Sequence, residues 1–116
     1  MENQFYILKD HKAVPCSIKE WGEAYKDDTH RRVAFTKIGE IEVSTVFLGI
    51  NYAFDDRPPL LFETMVFGGP LDQEQERYST WEQAEIGHRF MCKKVRRMGN
   101  STGICMRVFR WVRSWI

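Results

Sequence analysis

The chain of 116 residues has the length of one domain, and a composition of 43% hydrophobic and 28% charged residues excludes an intrinsically disordered protein. The net charge of +1 conceals an uneven distribution of acidic and basic residues along the chain. Residues 1–85 hold all 16 acidic residues, whereas residues 86–116 hold 8 of the 17 Lys and Arg residues and no Asp or Glu. A basic segment of this kind favours an acidic partner.

The three cysteines, Cys16, Cys92 and Cys105, are odd in number and widely spaced, unlike the even set of a secreted disulfide scaffold. The first ten residues lack the basic start and apolar stretch of a signal peptide. No apolar run approaches the roughly 20 residues that a membrane-spanning helix needs. We therefore expect reduced thiols in a cytoplasmic protein.

The first elements in chain order are a hairpin and a helix. β-favouring residues from Gln4 to Lys9 and from Ala13 to Cys16 flank a polar turn. Ser17 and Glu20 have the spacing of a capping box, and the helix that they open is expected to end near Lys26.

Three further strands are predicted, over residues 32–38, 41–52 and 60–67, with a tight turn at Gly39 and Glu40. From Val46 onward both faces of the middle strand are apolar. This pattern indicates a sheet that is covered on both sides at one end. The polar residues from Gly68 to Arg77 predict no strand.

A second helix begins at Ser79 or Thr80, either of which fits a capping pattern, and Gly99 is a natural residue to end it. Its apolar stripe, which predicts the face packed on the sheet, consists of Trp81, Ala84, His88, Met91 and Val95.

These elements predict an α+β fold in the order β-β-α-β-β-β-α. We expect a small antiparallel sheet of four or five strands with two helices packed on it. This single domain covers residues 1–98, and residues 99–116 form a separate basic tail that is rich in Trp and Arg.

The tail favours an amphipathic helix over residues 104–116. On a helical wheel Arg107, Arg110 and Arg113 fall opposite an apolar arc, whereas a strand would mix Arg and apolar residues on both faces. The apolar arc consists of Ile104, Cys105, Val108, Phe109, Trp111, Val112, Trp115 and Ile116.

Four interpretations of this helix stay open: a helix packed on the domain, an interface with a protein partner or a second copy, attachment to a membrane surface, and nucleic-acid binding. A membrane partner is not expected. Trp and Arg are enriched in binding hot spots, so the predicted partner-binding residues are Arg107, Arg110, Trp111, Arg113 and Trp115. In the nucleic-acid alternative the binding residues include Arg89, Lys93, Lys94, Arg96 and Arg97.

Catalytic and metal-binding patterns are sparse. His88 and Cys92 share a helix face but supply only half of a zinc site, and a mid-helix thiol is poorly placed as a nucleophile. Glu63 is a carboxylate on an otherwise apolar strand face, which suggests an ionic partner, a shifted pKa or a position that reaches water. We expect no cofactor, no metal and no catalytic residue, with an atypical enzymatic site near Glu63 and His88 as an alternative.

Three blocks of sequence, 43–49 (VSTVFLG), 58–69 (PPLLFETMVFGG) and 77–88 (RYSTWEQAEIGH), occur in order. Together they resemble a widespread family of small, uncharacterised bacteriophage and prophage proteins over roughly residues 4–95. The family often has an acidic residue and a His where this chain has Asn51 and Tyr52.

The resemblance implies a protein of the bacterial host cytoplasm that acts by binding. We expect a non-catalytic phage accessory protein whose partner is a host or phage protein, with inhibition of a bacterial defence or replication enzyme as its mode of action. A nucleic-acid-binding module is the alternative.

Overall fold

The computed structural model describes residues 4–26, 31–53 and 56–99. Their elements are β1 (Phe5–Lys9), β2 (Lys12–Cys16), α1 (Ile18–Ala24), β3 (Arg32–Ile38), β4 (Ile41–Phe47), β5 (Phe62–Phe67), β6 (Gln75–Tyr78) and α2 (Trp81–Gly99). The predicted α+β class is confirmed. The expectation of one sheet is wrong, because the strands form an antiparallel β1–β2 hairpin and a separate antiparallel sheet in the order β3-β4-β5-β6.

The hairpin turns at Asp10 and His11, both with positive φ, 53° and 68°. α1 begins at the predicted capping box, since the Ser17 hydroxyl accepts a hydrogen bond from the Glu20 amide at 3.1 Å and the Glu20 carboxylate accepts one from the Ser17 amide at 2.9 Å. α1 packs mainly on β1. The expectation that both helices pack on the main sheet is therefore corrected, because α2 is the helix that covers it.

α2 lies across one face of the four-stranded sheet. Its predicted stripe points inward, with Ala84, Met91 and Val95 at most 4% exposed. Thr80 is the residue that caps it, as its hydroxyl accepts a hydrogen bond from the Gln83 amide at 3.1 Å. The helix extends through Gly99, so Gly99 lies within it rather than just after its end.

The opposite face of this sheet is called the open face below. Strand pairing places its residues in three cross-strand rows. α2 packs on the other side of the sheet and α1 on β1, and Phe35 and Phe67 on the open face are 42% and 44% exposed. The rows are Lys37, Glu42 and Phe67; Phe35, Ser44, Met65 and Gln75; and Arg32, Val46, Glu63 and Arg77.

The hairpin joins the sheet at the end where β4 leaves it. The Tyr6 amide donates to the Gly49 carbonyl at 2.8 Å, and Tyr6 shares a buried cluster with Phe47 and Phe62. The His11 ring stacks on Trp81 at the start of α2, with ring centroids 3.7 Å apart. The hairpin is thus tied both to the sheet and to the helix above it.

Neither helix within residues 4–26, 31–53 and 56–99 is long and apolar enough to cross a membrane. The helix predicted over residues 104–116, together with all five of the predicted partner-binding residues, lies outside the described residues.

Candidate functional site

Glu63 and His88, the two residues of the enzymatic alternative, lie on opposite faces of the sheet. Glu63 belongs to the open face, where its carboxylate accepts a hydrogen bond from Arg77 Nε at 3.2 Å and its side chain is 14% exposed. Arg77 also lies over the Tyr52 ring, with its guanidinium carbon 4.4 Å from the ring centroid. Glu63 therefore has an ionic partner, and it does not share a site with His88.

His88 belongs to a buried chain of hydroxyl groups beneath α2. Its Nδ1 lies 2.7 Å from the Thr45 hydroxyl, and its Nε2 lies 2.9 Å from the Thr36 hydroxyl. The Thr45 and Thr64 hydroxyls are 2.5 Å apart, and Tyr78 donates a hydrogen bond to Thr64 at 3.1 Å. These contacts connect α2 with each of the four strands of the main sheet.

One proton arrangement that satisfies these contacts begins at Tyr78. Tyr78 donates to Thr64, so Thr64 can donate to Thr45 and Thr45 to His88 Nδ1. Neutral His88 then keeps its proton on Nε2 and donates it to Thr36. Burial lowers the pKa of His88, which favours this neutral form. His88 is only 5% exposed, so the arrangement positions α2 on the sheet and does not present the imidazole to a substrate.

The second residue of the predicted half zinc site, Cys92, is also buried, on the side of α2 that faces the sheet. Across residues 4–26, 31–53 and 56–99, no group of three His, Cys, Asp or Glu side chains is placed to hold a metal ion. His88 uses both ring nitrogens in the hydroxyl chain. In the described part of the fold, Cys92 and His88 therefore pack between α2 and the sheet.

A groove of about 250 Å³ opens between α2 and β6, the strand at the edge of the sheet, and is called the α2–β6 groove below. Phe90 stands at its rim with 66% of its surface exposed. Its floor includes Tyr78, whose ring occupies the space that a Cβ on Gly87 would fill. The lining residues are Glu76, Tyr78, Gly87, Phe90, Met91 and Lys94.

The basic residues of α2 divide between two sides of the helix. Lys94 borders the groove and forms an ion pair with Glu74 at 2.8 Å. Helical spacing places Arg89, Lys93 and Arg96 on the flank away from the groove, toward β3. Five of the residues predicted for nucleic-acid binding are therefore on α2, where Arg89, Lys93 and Arg96 form one stripe. The arginines of the basic C-terminal segment that belong to the same prediction, Arg107, Arg110 and Arg113, lie outside the described residues.

Comparison of the chain with models of protein families, with curated proteins and with solved structures finds no match. The phage-family resemblance stays a prediction.

Sequence reasoning missed the α2–β6 groove because it missed β6. One sign of the groove was available. Ile86 and Phe90 stand one turn apart on the predicted outer side of the second helix, where a helix with one buried face carries polar residues. Ile86 is 47% exposed in the structure.

Proposed function

We propose that the protein is a non-catalytic binding protein that docks a partner protein at the α2–β6 groove. The observation that carries this proposal is the exposed Phe90 ring beside an apolar groove lined by Tyr78 and Met91. A partner that places an apolar side chain in the groove would remove Phe90 from water. Aromatic side chains next to such pockets are typical centres of binding energy.

The partner that fits this surface is acidic around its apolar anchor. From residue 86 to residue 99 α2 carries Arg and Lys but no Asp or Glu. Arg97 and Lys93 extend the positive charge over the outer side of the helix, where Phe90 is exposed. Complementary charge accelerates association and selects against other partners.

The edge strand adds a second means of attachment. β6 pairs with β5 on one side only in the described sheet, and edge strands present backbone groups that an extended segment can pair with. A partner strand placed there would lie directly beside the groove. This arrangement supports recognition of a peptide segment rather than of a small molecule.

The resemblance to small phage proteins supplies the biological setting of the proposal. The partner is then a host or phage protein in the bacterial cytoplasm, and occupation of a surface on a defence or replication enzyme would inhibit it. The positions of His88, within the hydroxyl chain, and Glu63, within an ion pair, support binding over chemistry.

A nucleic-acid-binding function is the second candidate, favoured by the stripe of Arg89, Lys93 and Arg96. Such binding needs only contacts with phosphate groups, and the affinity of the protein for nucleic acid would fall steeply as the salt concentration rises. It leaves the exposed Phe90 unexplained. For this reason we rank it below protein binding.

The test is a pull-down of the tagged full chain from infected cells, followed by measurement of the affinity for the purified partner. Phe90→Ser is compared with Ile18→Ser, a control in α1 at a residue that is equally exposed, 65% against 66%. We expect Phe90→Ser to weaken binding about 30-fold or more, as for a hot-spot residue, and Ile18→Ser to leave it unchanged.

Equal binding by both variants would exclude the groove as the docking site. Retardation of DNA or RNA that is lost when Arg89, Lys93 and Arg96 are changed to Glu, without a protein partner that depends on Phe90, would favour the nucleic-acid alternative.

A further inference from the structure

β3 forms the edge of the main sheet opposite β6. In the described sheet it pairs with β4 alone. Its pairing with β4 is regular from Ala34 to Ile38, since the shift in register lies between Arg32 and Ala34. The backbone groups on the outer side of such a strand can pair with a further strand. β3 is therefore a second edge at which the sheet can be extended.

The tight turn between β3 and β4 determines which backbone groups of β3 point outward. Ile38 and Ile41, which close the two-residue turn, form a hydrogen-bonded pair, and such pairs alternate along an antiparallel ladder with pairs that are not hydrogen-bonded. Thr36 is thus hydrogen-bonded to β4. The N–H and C=O groups of Phe35 and Lys37 point away from β4, toward a strand that would be added at this edge.

α2 runs in the same direction as β3. His88 lies above Thr36, with 2.9 Å between its Nε2 and the hydroxyl. Further along both elements, Val95 belongs to the apolar cluster on which Ile38 packs. A two-fold rotation that places a second β3 antiparallel to the first therefore also makes the two α2 helices antiparallel, on the same side of the joined sheet.

The flank of α2 toward β3 is acidic in its first half and basic in its second. Helical spacing places five charged residues on this flank, in the order Glu82, Glu85, Arg89, Lys93 and Arg96. All five are exposed, and within residues 4–26, 31–53 and 56–99 none of them forms an ion pair. A flank with this order of charges is complementary to an antiparallel copy of itself.

One register of the two edges uses both outward residues of each copy. It pairs Phe35 of one copy with Lys37 of the other, and each of these pairs exchanges two backbone hydrogen bonds. Thr36 then lies on the two-fold axis, opposite its own counterpart. The axis therefore passes close to the Thr36–His88 contact of both copies.

This register brings the opposite charges of the two helices to face each other. Residues at equal distances before and after His88 are opposed across the axis. Glu85, three residues before His88, faces the stretch between Arg89 and Lys93 of the second copy. Glu82 faces the turn that follows. Each copy thus meets the basic half of the other flank with its own acidic half.

The same register covers an exposed ring on the open face. Phe35 is 42% exposed, and the Arg32 guanidinium lies 4.6 Å from its centroid. Lys37 of the second copy would lie beside this ring, where its aliphatic stem covers apolar surface. Glu42, the cross-strand neighbour of Lys37, offsets the added positive charge.

We propose that two copies of the chain associate through β3, with their main sheets joined into one and their α2 helices antiparallel on one side of it. β6 is at the far edge of each copy. The α2–β6 groove therefore stays open in the dimer, and this proposal is independent of the partner that the groove binds.

The test is the mass of the full chain in solution, measured by sedimentation equilibrium over a range of concentrations. We expect a reversible dimer. Arg89→Glu with Lys93→Glu, and separately Glu82→Lys with Glu85→Lys, should each weaken dimerisation roughly 10-fold or more, because like charges then face each other.

An equimolar mixture of the two double variants separates loss of the interface from damage to the fold. One flank is then mainly acidic and the other basic, so the mixture should form a heterodimer with an affinity close to that of the parent. Arg97→Glu with Lys19→Glu changes two basic residues away from the flank. It is the matched control for the acidic variant and should leave the dimer intact.

The backbone pairing is tested at Lys37. Proline is tolerated in an edge strand where the N–H faces solvent, so Lys37→Pro should keep the fold of each copy and remove hydrogen bonds between the copies. Lys37→Ala keeps the N–H and is the control. We expect Lys37→Pro to dimerise at least 10-fold more weakly than Lys37→Ala, since it loses one hydrogen bond in each symmetric pair.

Any of three results would overturn the proposal. The first is a parent chain that is monomeric at every concentration. The second is a dimer that tolerates both double variants as well as it tolerates the control, or a mixture in which no heterodimer forms. The third is equal dimerisation by Lys37→Pro and Lys37→Ala.

Discussion

The ring of Tyr78 fills the space in which any side chain on Gly87 would have to lie. This contact brings α2 close to the edge strand and holds the Tyr78 hydroxyl against Thr64, at 3.1 Å. Glycine is costly inside a helix, by about 1 kcal/mol relative to alanine. Here that cost is offset by the close packing of ring and helix.

Gly87→Ala is therefore expected to destabilise the fold by about 1–3 kcal/mol, since the overlap with the ring exceeds the gain in helix propensity. Urea denaturation measures the change. Gly22→Ala in α1 is the control, because a Cβ there meets nothing within 4 Å and should stabilise the protein by about 0.5–1 kcal/mol. A Gly87→Ala variant as stable as the parent would show that Tyr78 moves aside without cost.

The stability of the fold is expected to fall as the pH drops below about 6.5, the ordinary pKa of histidine. Burial lowers the pKa of His88 in the folded state, so the unfolded chain takes up a proton first. The stabilisation is complete above the unfolded pKa and is lost progressively down to the folded one.

Denaturation at a series of pH values tests this dependence, with His88→Gln as the comparison. The variant should lose the part of the slope that comes from His88. Parallel curves for the two proteins would show that His88 titrates alike in the folded and unfolded states.

Thr45→Val is expected to cost about 1–3 kcal/mol, because a group of nearly the same shape leaves Thr64 and His88 Nδ1 without their hydrogen-bond partner. Thr45→Ser keeps the hydroxyl and should cost less. Adding Thr64→Val to Thr45→Val should cost less than the sum of the two single changes, since both act on one chain of hydrogen bonds. Additive free energies of unfolding would mean that the hydroxyls act separately.

The elements set by short-range pattern were predictable from the sequence. The Ser17 capping box, the Gly39 turn and the inward stripe of α2 each depend on residues close together in the chain, and each is found in the structure. The predicted strand over residues 41–52 is observed only to Phe47. Beyond Phe47 the Leu48 carbonyl accepts a hydrogen bond from the Trp21 indole nitrogen, and the Gly49 carbonyl accepts one from the Tyr6 amide. Both donors come from the first part of the chain.

Structural features that depend on residues far apart in the chain could not be predicted from local sequence patterns. Gln75–Tyr78 is polar on both faces, and it becomes a strand because β5 offers an edge to pair with. The division into two sheets follows from where the hairpin docks, near Gly49 and Ile50. The threonines of the hydroxyl chain each sit at the centre of a different strand, and only the folded sheet aligns them under His88.

The hydroxyl chain has a consequence for how α2 can lie on the sheet. Apolar side chains alone would let a helix slide by one turn, about 5.4 Å, and still find contacts. Such a slide would place Ala84 or Cys92 above Thr45, and neither can replace both imidazole nitrogens. The threonine hydroxyls would then be buried without hydrogen-bond partners, and this would cost more free energy than the apolar contacts contribute. One histidine thus fixes the longitudinal position of a helix of 19 residues.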